Sequence, residues 1–164
     1  MEDTERDAIA GVWNAVTGSA WGFTLATAVN LLPDLDAWTV ATGDDGSGVL
    51  IGVCGSRLLC LSRASGDAVG FATTAIPAEA VGIGVTDQFT QIRTAGGGHA
   101  QAAQHIRVWT FDLSATKATT TITQEVGGES SKGADTWNHC APMEGLDRRC
   151  QDVLLALARN GRSA

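Results

Sequence analysis

The sequence predicts an α+β fold that is mainly antiparallel β, framed by an N-terminal helix and a C-terminal amphipathic helix. Three observations predict it. Glycine is abundant at 20 residues and proline is scarce at 3, which favours many tight turns between strands. Short apolar or alternating runs, separated by turn residues, fill positions 37–126. The two ends of the chain carry apolar residues at helical spacing instead.

The chain length and composition indicate one structural unit. A chain of 164 residues suits a single domain, and a domain of this size can bury a core without metals or disulfides. The hydrophobic fraction of 44% and the charged fraction of 18% are typical of globular proteins. We expect residues 1–36 to be a helical extension packed on the core and residues 37–164 to be the β domain with its C-terminal helix.

Residues 4–17 are predicted to form the first helix. Thr4 is the expected N-cap and Gly18 the expected stop. The next segment, 19–33, fits two structures, because its apolar residues satisfy both strand and helix spacing; we favour a helix over 24–32. The apolar face of the first helix follows the i, i+3, i+4, i+7 pattern: Ile9, Val12, Trp13 and Val16.

The β region is predicted from runs bounded by turn signals. Gly55-Ser56 separates two apolar runs and predicts a two-residue hairpin turn. Two polar segments, 95–104 and 127–143, are predicted to be loops. The predicted strands are 37–42, 49–54, 57–63, 69–75, 80–86, 89–94, 106–113 and 116–126.

Residues 146–159 are predicted to form the C-terminal helix. Asp147 lies in its first turn and Arg159 in its last, which suits the helix dipole. One apolar stripe is expected to face the core: Leu146, Cys150, Val153, Leu154 and Leu157.

Residues 49–62, VLIGVCGSRLLCLS, resemble the hairpin of bacterial pleckstrin-homology (PH) and GRAM-type domains, in which an Arg-Leu pair opens the second strand. Arg57-Leu58 is that pair here. Ile76-Pro77, followed by residues 81–83, is similar to the next feature of the family. The resemblance covers about residues 37–160. It implies a bent barrel of about seven strands, with the last helix plugging one open end.

The resemblance leaves the function open, because this superfold carries many functions. Lipid-binding members usually carry a basic cluster around the early hairpins. Here only Arg57 and Arg63 lie in that region, beside the acids Asp44, Asp45 and Asp67. Protein or peptide binding is therefore the more natural inference. Arg57, Arg63 and Trp137, a tryptophan in a polar loop, are the predicted binding residues.

The charge balance argues against two classes of partner. The formal net charge is −7, and the basic residues are scattered, whereas binding to nucleic acid or anionic membranes relies on clustered Lys and Arg. No apolar stretch reaches the ~18–20 residues of a membrane helix. The acidic N-terminus has the wrong polarity for a secretory signal, so a cytoplasmic location is expected.

No metal or other cofactor is predicted. Cys54 and Cys60 are expected to lie on opposite faces of one hairpin, since successive strand residues point to opposite sides. Cys150 is expected in the core. Adjacent His139 and Cys140 are awkward joint ligands, and no zinc, calcium or phosphate-loop spacing occurs.

Three functional hypotheses remain from the sequence, and no motif marks a catalytic site. The first is a non-catalytic protein-binding or self-assembly module with a PH-like fold, whose partner is another protein or a second copy. The second is a small thiol- or histidine-dependent enzyme, whose candidate residues are His105, Asp135, His139 and Cys140. The third is a small-molecule-binding β-barrel with space provided by small residues: Gly52, Ala72, Ala75, Gly82 and Gly84.

Overall fold

The computed structural model of the chain describes residues 1–18, 27–43, 48–63, 70–93, 101–113, 118–126 and 144–160. Within these ranges the fold is α+β with antiparallel strands, which confirms the predicted class. Its helices are α1 (Asp3–Thr17) and α2 (Glu144–Asn160), and neither is long and apolar enough to cross a membrane. The strands are β1 (Ala37–Gly43), β2 (Gly48–Cys54), β3 (Arg57–Arg63), β4 (Phe71–Pro77), β5 (Gly82–Arg93), β6 (Gln101–Leu113) and β7 (Ala118–Val126).

Helix α1 begins one residue earlier than expected. Glu2 is its N-cap and makes no side-chain cap hydrogen bond, so the expected N-cap at Thr4 is wrong. Thr4 lies inside the first turn, where neighbouring acidic side chains favour the partial positive charge of the helix start. The helix stops as predicted at Gly18, whose φ is 66° and whose N–H donates to the Asn14 carbonyl at 2.9 Å.

Residues 27–30 form a short helical segment inside the range where a helix is favoured. Residues 19–26, on which the strand interpretation depended, lie outside the described residues. Val29 and Leu32 are buried beside α1, while Leu31 points outward. The segment therefore contributes to the layer that α1 forms over the sheet.

Strands β1 to β4 form an antiparallel meander in which each strand pairs with the next. The predicted turn between β2 and β3 is confirmed. Gly55 has a φ of 56°, and Cys54 lies opposite Arg57. A glycine suits this position because a positive φ is strained for residues with a Cβ atom.

Strands β5 to β7 form a second antiparallel meander. The separate strands expected over 80–86 and 89–94 are wrong, because β5 runs without interruption. All 12 of its residues pair with β6. Asp87, in the polar middle of β5, is held by Arg107 directly opposite, with Nε donating to Oδ1 at 2.8 Å. This cross-strand pair offsets the weak strand pattern of the segment.

Strand β6 begins at Gln101, so the loop expected over 95–104 is wrong for its last four residues. Residues 101–104 lack apolar alternation. They are nevertheless in the sheet because each pairs with a residue of β5. Residues 95–100 lie outside the described residues.

The strand order in the sheet is β4-β3-β2-β1-β7-β6-β5. The two meanders meet where β1 pairs with β7, through Thr42 with Thr121 and Gly43 with Thr120. Strands β4 and β5 are consecutive in the chain, yet they lie at opposite ends of the order. No pairing joins them within the described residues, so the described sheet is not a closed barrel.

Apolar side chains cover both faces of the first meander. On one face, Trp38, Val40, Leu50 and Leu61 pack against α1 and the 27–36 segment, with Ile9 and Trp13 buried between them. On the other face, a larger cluster joins both meanders and α2. Its members include Ile51, Val53, Leu58, Cys60, Ile76, Trp109, Phe111, Leu113, Cys150 and Val153.

Helix α2 buries most of its predicted stripe. Leu146, Cys150, Val153 and Leu157 are buried, but Leu154 is 36% exposed and Ala156 is buried in its place. The expectation for Leu154 is wrong because the core-facing stripe continues through Ala156. The last residue of α2, Asn160, donates its side-chain N–H to the Gly55 carbonyl at 2.7 Å and thereby ties the helix end to the β2–β3 turn.

Candidate functional site

The loop predicted to carry enzyme chemistry lies outside the described residues. Asp135, Trp137, His139 and Cys140 all belong to it. His105 lies on β6 and pairs with Phe89 and Val126. The thiol or histidine enzyme therefore stays a prediction.

The two predicted binding arginines do not form one basic cluster. Arg57 begins β3 and Arg63 ends it. Six residues of extended chain separate them by about 20 Å. The Arg57 side chain is exposed beside the hairpin turn, so it is an isolated charge at that end of the strand.

The cysteines of the hairpin lie on opposite faces, as the register predicted. Cys60 pairs with Ile51 and Cys54 with Arg57. Burial raises the pKa of the Cys60 thiol to about 12. The pKa of Cys150 is also raised to about 12, mainly by burial, although its contact with the Thr39 hydroxyl at 3.5 Å opposes the shift. Both thiols are therefore protonated core groups rather than nucleophiles.

Alkylation of the thiols will separate these classes. At pH 8 a thiol with a pKa of about 12 is ionised to about one part in ten thousand. In a Cys140→Ser variant, we expect iodoacetamide to label half-buried Cys54 at least about a hundred times faster than Cys60 or Cys150. Peptide mass spectrometry over a time course measures the three rates. Equal rates would contradict the assignment, and in the wild type a Cys140 rate far above that of Cys54 would favour the thiol enzyme.

A charged network joins the start of α2 to the sheet. Arg107 binds Asp87 on one side, and its Nη1 donates to Asp147 Oδ2 at 3.0 Å on the other. Trp109 Nε1 donates to Asp147 Oδ1 at 2.6 Å. The hydrogen bond with Asp87 raises the pKa of Arg107, although burial opposes the shift. Because these charges pair with one another, the network holds the helix in place rather than marking a ligand site.

A groove of about 270 Å³ opens between α1, the start of β1 and α2. The Arg149 guanidinium stacks 3.6 Å from the centroid of the Trp38 ring. Burial lowers the pKa of Arg149, while the nearby carboxylates Asp152 and Glu5 favour its charged form. Acidic and basic side chains thus line the groove together, which gives an ionic ligand of either sign no clear preference.

The small residues that suggested a ligand cavity lie elsewhere. Gly52 is covered by Leu35; a Cβ atom on Gly52 would lie 2.8 Å from Leu35 Cδ1. Ala72 and Ala75 are exposed on β4, and Gly82 is exposed on β5. These positions therefore create no space inside the sheet. Among the described residues no group of three or more His, Cys, Asp or Glu side chains is placed to hold a metal ion.

The most accessible strand in the described part of the chain is β4. Four consecutive residues, Ala72–Ala75, are exposed, so neither face of the strand is covered there. The strand pairs with β3 along one side only. We call this feature the β4 edge. Its other side presents backbone N–H and C=O groups without a sheet partner among the described residues, which makes it a template for an added strand.

The β4 edge lacks the side chains that usually protect such strands. Phe71–Pro77 contains no charged residue, and its only proline is the last residue. Charged side chains, especially lysine, normally block edge-to-edge pairing. The opposite edge, β5, carries Asp87 and Arg93. The sequence signal for the β4 edge is the uncharged run FATTAI before Pro77, which the motif analysis did not single out.

The fold and the β4 edge together define an α+β protein with an open, unprotected strand. No family model, curated protein or solved structure matches the chain.

Proposed function

We propose that the chain adopts a PH-like bent barrel of about seven strands and acts as a non-catalytic binding or self-assembly module. The exposed β4 edge is the observation that carries the functional part. The fold part is supported by the strand order, because two successive meanders joined through their first and last strands form the sequence of a partly open barrel.

The connection between β4 and β5 supports the bend. Pro77 and Gly82 are separated by four residues, Ala78–Ala80 in a 3-10 turn and Val81. Extended chain reaches about 3.3–3.6 Å per residue, so this connection spans less than about 18 Å. In a flat sheet, β4 and β5 would be six strand spacings apart, about 29 Å. The sheet therefore curves until its two ends approach each other.

The shared core supports the same arrangement. Ile76 of β4 and Phe111 of β6 belong to one buried cluster, against which Val81 and Ile83 pack. Helix α2 adds Cys150 and Val153 to this cluster, which fits a helix that closes one end of a bent barrel. The N-terminal layer lies on the outer face of the first meander.

Binding at the β4 edge would use strand addition. An extended segment that pairs with an exposed edge gains backbone hydrogen bonds, and these bonds depend little on side-chain chemistry. The exposed side chains of Ala72–Ala75 are small, so they do not hinder an incoming strand. The net charge of −7 favours a protein partner over nucleic acid or an anionic membrane.

Selection of random octapeptides on phage tests this function. The protein is immobilised at low density, so that neighbouring copies do not meet. We expect the selected peptides, once synthesised, to bind at least about tenfold more weakly to a Thr73→Lys/Thr74→Lys variant, a loss of about 1.4 kcal/mol. The matched control is Gln151→Lys, which adds a lysine at an exposed position on α2.

The control should bind these peptides as the wild type does. The proposal fails if no peptide is enriched. It also fails if the selected peptides bind the double lysine variant and the wild type equally, because the binding surface would then lie outside β4.

A further inference from the structure

We infer that the partner of the β4 edge is the β4 edge of a second copy of this chain, paired antiparallel about a two-fold axis through Thr74. The inference rests on the proposed strand-addition function and names its occupant. The pairing would join the sheets of two copies into one continuous sheet. It is isologous, so it ends at a dimer.

Symmetry restricts the register of such a dimer. A two-fold axis perpendicular to the sheet reverses the strand direction and keeps each face on its own side. Directly opposite residues must then share a face, so the axis has to pass at a residue rather than between two residues. An axis at Thr74, the middle residue of Phe71–Pro77, pairs the whole strand. An axis at Thr73 leaves two residues of each strand unpaired.

The Thr74 register produces compatible neighbours. Thr74 faces itself, Thr73 faces Ala75, and Ala72 faces Ile76 of the second copy. Threonine pairs are favourable across antiparallel strands, and no position places like charges opposite each other. The register works for either set of outward-facing backbone groups and forms about six backbone hydrogen bonds across the axis.

Charge favours this surface over others for self-association. Each copy carries a net charge of −7, so most approaches between two copies are repulsive. The uncharged β4 edge is a place where two strands meet without adding charge repulsion at the contact. The residual repulsion between the copies is screened by salt. We therefore expect the dimer to become tighter as the salt concentration rises.

The dimer should be weak. A seven-residue strand pair with small side chains buries little surface, which is typical of transient contacts. Sedimentation velocity over about 1–500 μM protein should show a reversible monomer–dimer equilibrium. Its dissociation constant should fall severalfold between 0.05 and 0.5 M NaCl. The Thr73→Lys/Thr74→Lys variant should stay monomeric across this range, while the Gln151→Lys control should dimerise.

Disulfide trapping tests the register. In a background with Cys54→Ser and Cys140→Ser, Thr74→Cys should form a disulfide-linked dimer, because residues opposite each other lie about 4.5–5.5 Å apart between Cα atoms, within disulfide range. Thr73→Cys is the matched control. In the Thr74 register its two copies are diagonal neighbours about 8 Å apart, too far to bridge.

Several outcomes would overturn the inference. A strict monomer at 500 μM, or a dimer that the lysine pair leaves intact, would reject it. Trapping at Thr73→Cys alone would reject the register, and equal trapping at both positions would indicate random collision. Species larger than a dimer would indicate pairing of β4 with β5. If the chain is monomeric but octapeptides still require the β4 edge, self-pairing fails and strand addition stands. If the peptides ignore that edge, the proposed function fails.

Discussion

Replacement of Trp13 by alanine is expected to lower the free energy of unfolding by about 3–5 kcal/mol. Trp13 is 2% exposed and lies between α1 and the outer face of the first meander. Its removal leaves a cavity that α1 and the sheet cannot close without moving apart. Urea denaturation at 25 °C, followed by circular dichroism, measures the loss. A change below about 1 kcal/mol would mean that α1 contributes little to the folded state.

Gly48 offers a sharper version of the same test. A methyl group on Gly48 would overlap the Trp13 ring and the Thr17 methyl group, so Gly48→Ala should cost about 1–3 kcal/mol. The control is Gly11→Ala. Nothing lies within 4 Å of the added methyl group on Gly11, and alanine in a helix should stabilise by about 0.5–1 kcal/mol.

Combining the substitutions shows whether the two residues act through each other. Trp13→Leu is smaller and makes room for the added methyl group. The Gly48→Ala/Trp13→Leu double variant should therefore lose less stability than the sum of the two single losses. A simple sum would mean that the methyl group at position 48 is hindered by some other part of the molecule.

Asp147→Ala is expected to lower the free energy of unfolding by about 1–3 kcal/mol. The substitution removes the acceptor for the Trp109 indole N–H and one partner of Arg107. Asp147→Asn should cost less, since an amide oxygen can still accept from Trp109 while the charge is lost. Thermal and urea unfolding measure both losses.

The matched control for this network is Gln151→Ala, which removes an exposed side chain from the same helix. Its effect should stay within about 0.5 kcal/mol. Equal losses for Asp147→Ala and Gln151→Ala would show that the network does not hold α2 on the sheet. In that case the helix would depend on its apolar contacts alone.

Local signals in the sequence predicted the parts of the fold that local chemistry determines. The Gly55-Ser56 turn and the Cys54–Arg57 register follow from neighbours in the chain, and so does the stop at Gly18. The continuous course of β5 does not, because Asp87 depends on Arg107, a residue 20 positions away. A polar run has the appearance of a break until its cross-strand partner is known.

The candidate site shows the same limit. Whether Ala72–Ala75 faces solvent or a neighbouring layer depends on where α1 and α2 pack, and both contact strands far from them in the sequence. The uncharged composition of β4 was readable in advance, but its position at the edge of the sheet was not. Trp38 is a comparable case, because its ring is covered by Arg149, 111 residues later.

The join between β1 and β7 has a consequence for biosynthesis. Thr42 and Thr121 lie about eighty residues apart, so pairing them closes a long loop for few hydrogen bonds. Contacts within each meander, by contrast, form between segments that follow one another along the chain. Helix α2 contacts both β1 and β7, and it is the last described element to leave the ribosome. The nascent chain can therefore form its hairpins early, but the two halves gain a stable junction only once residues 144–160 have been translated.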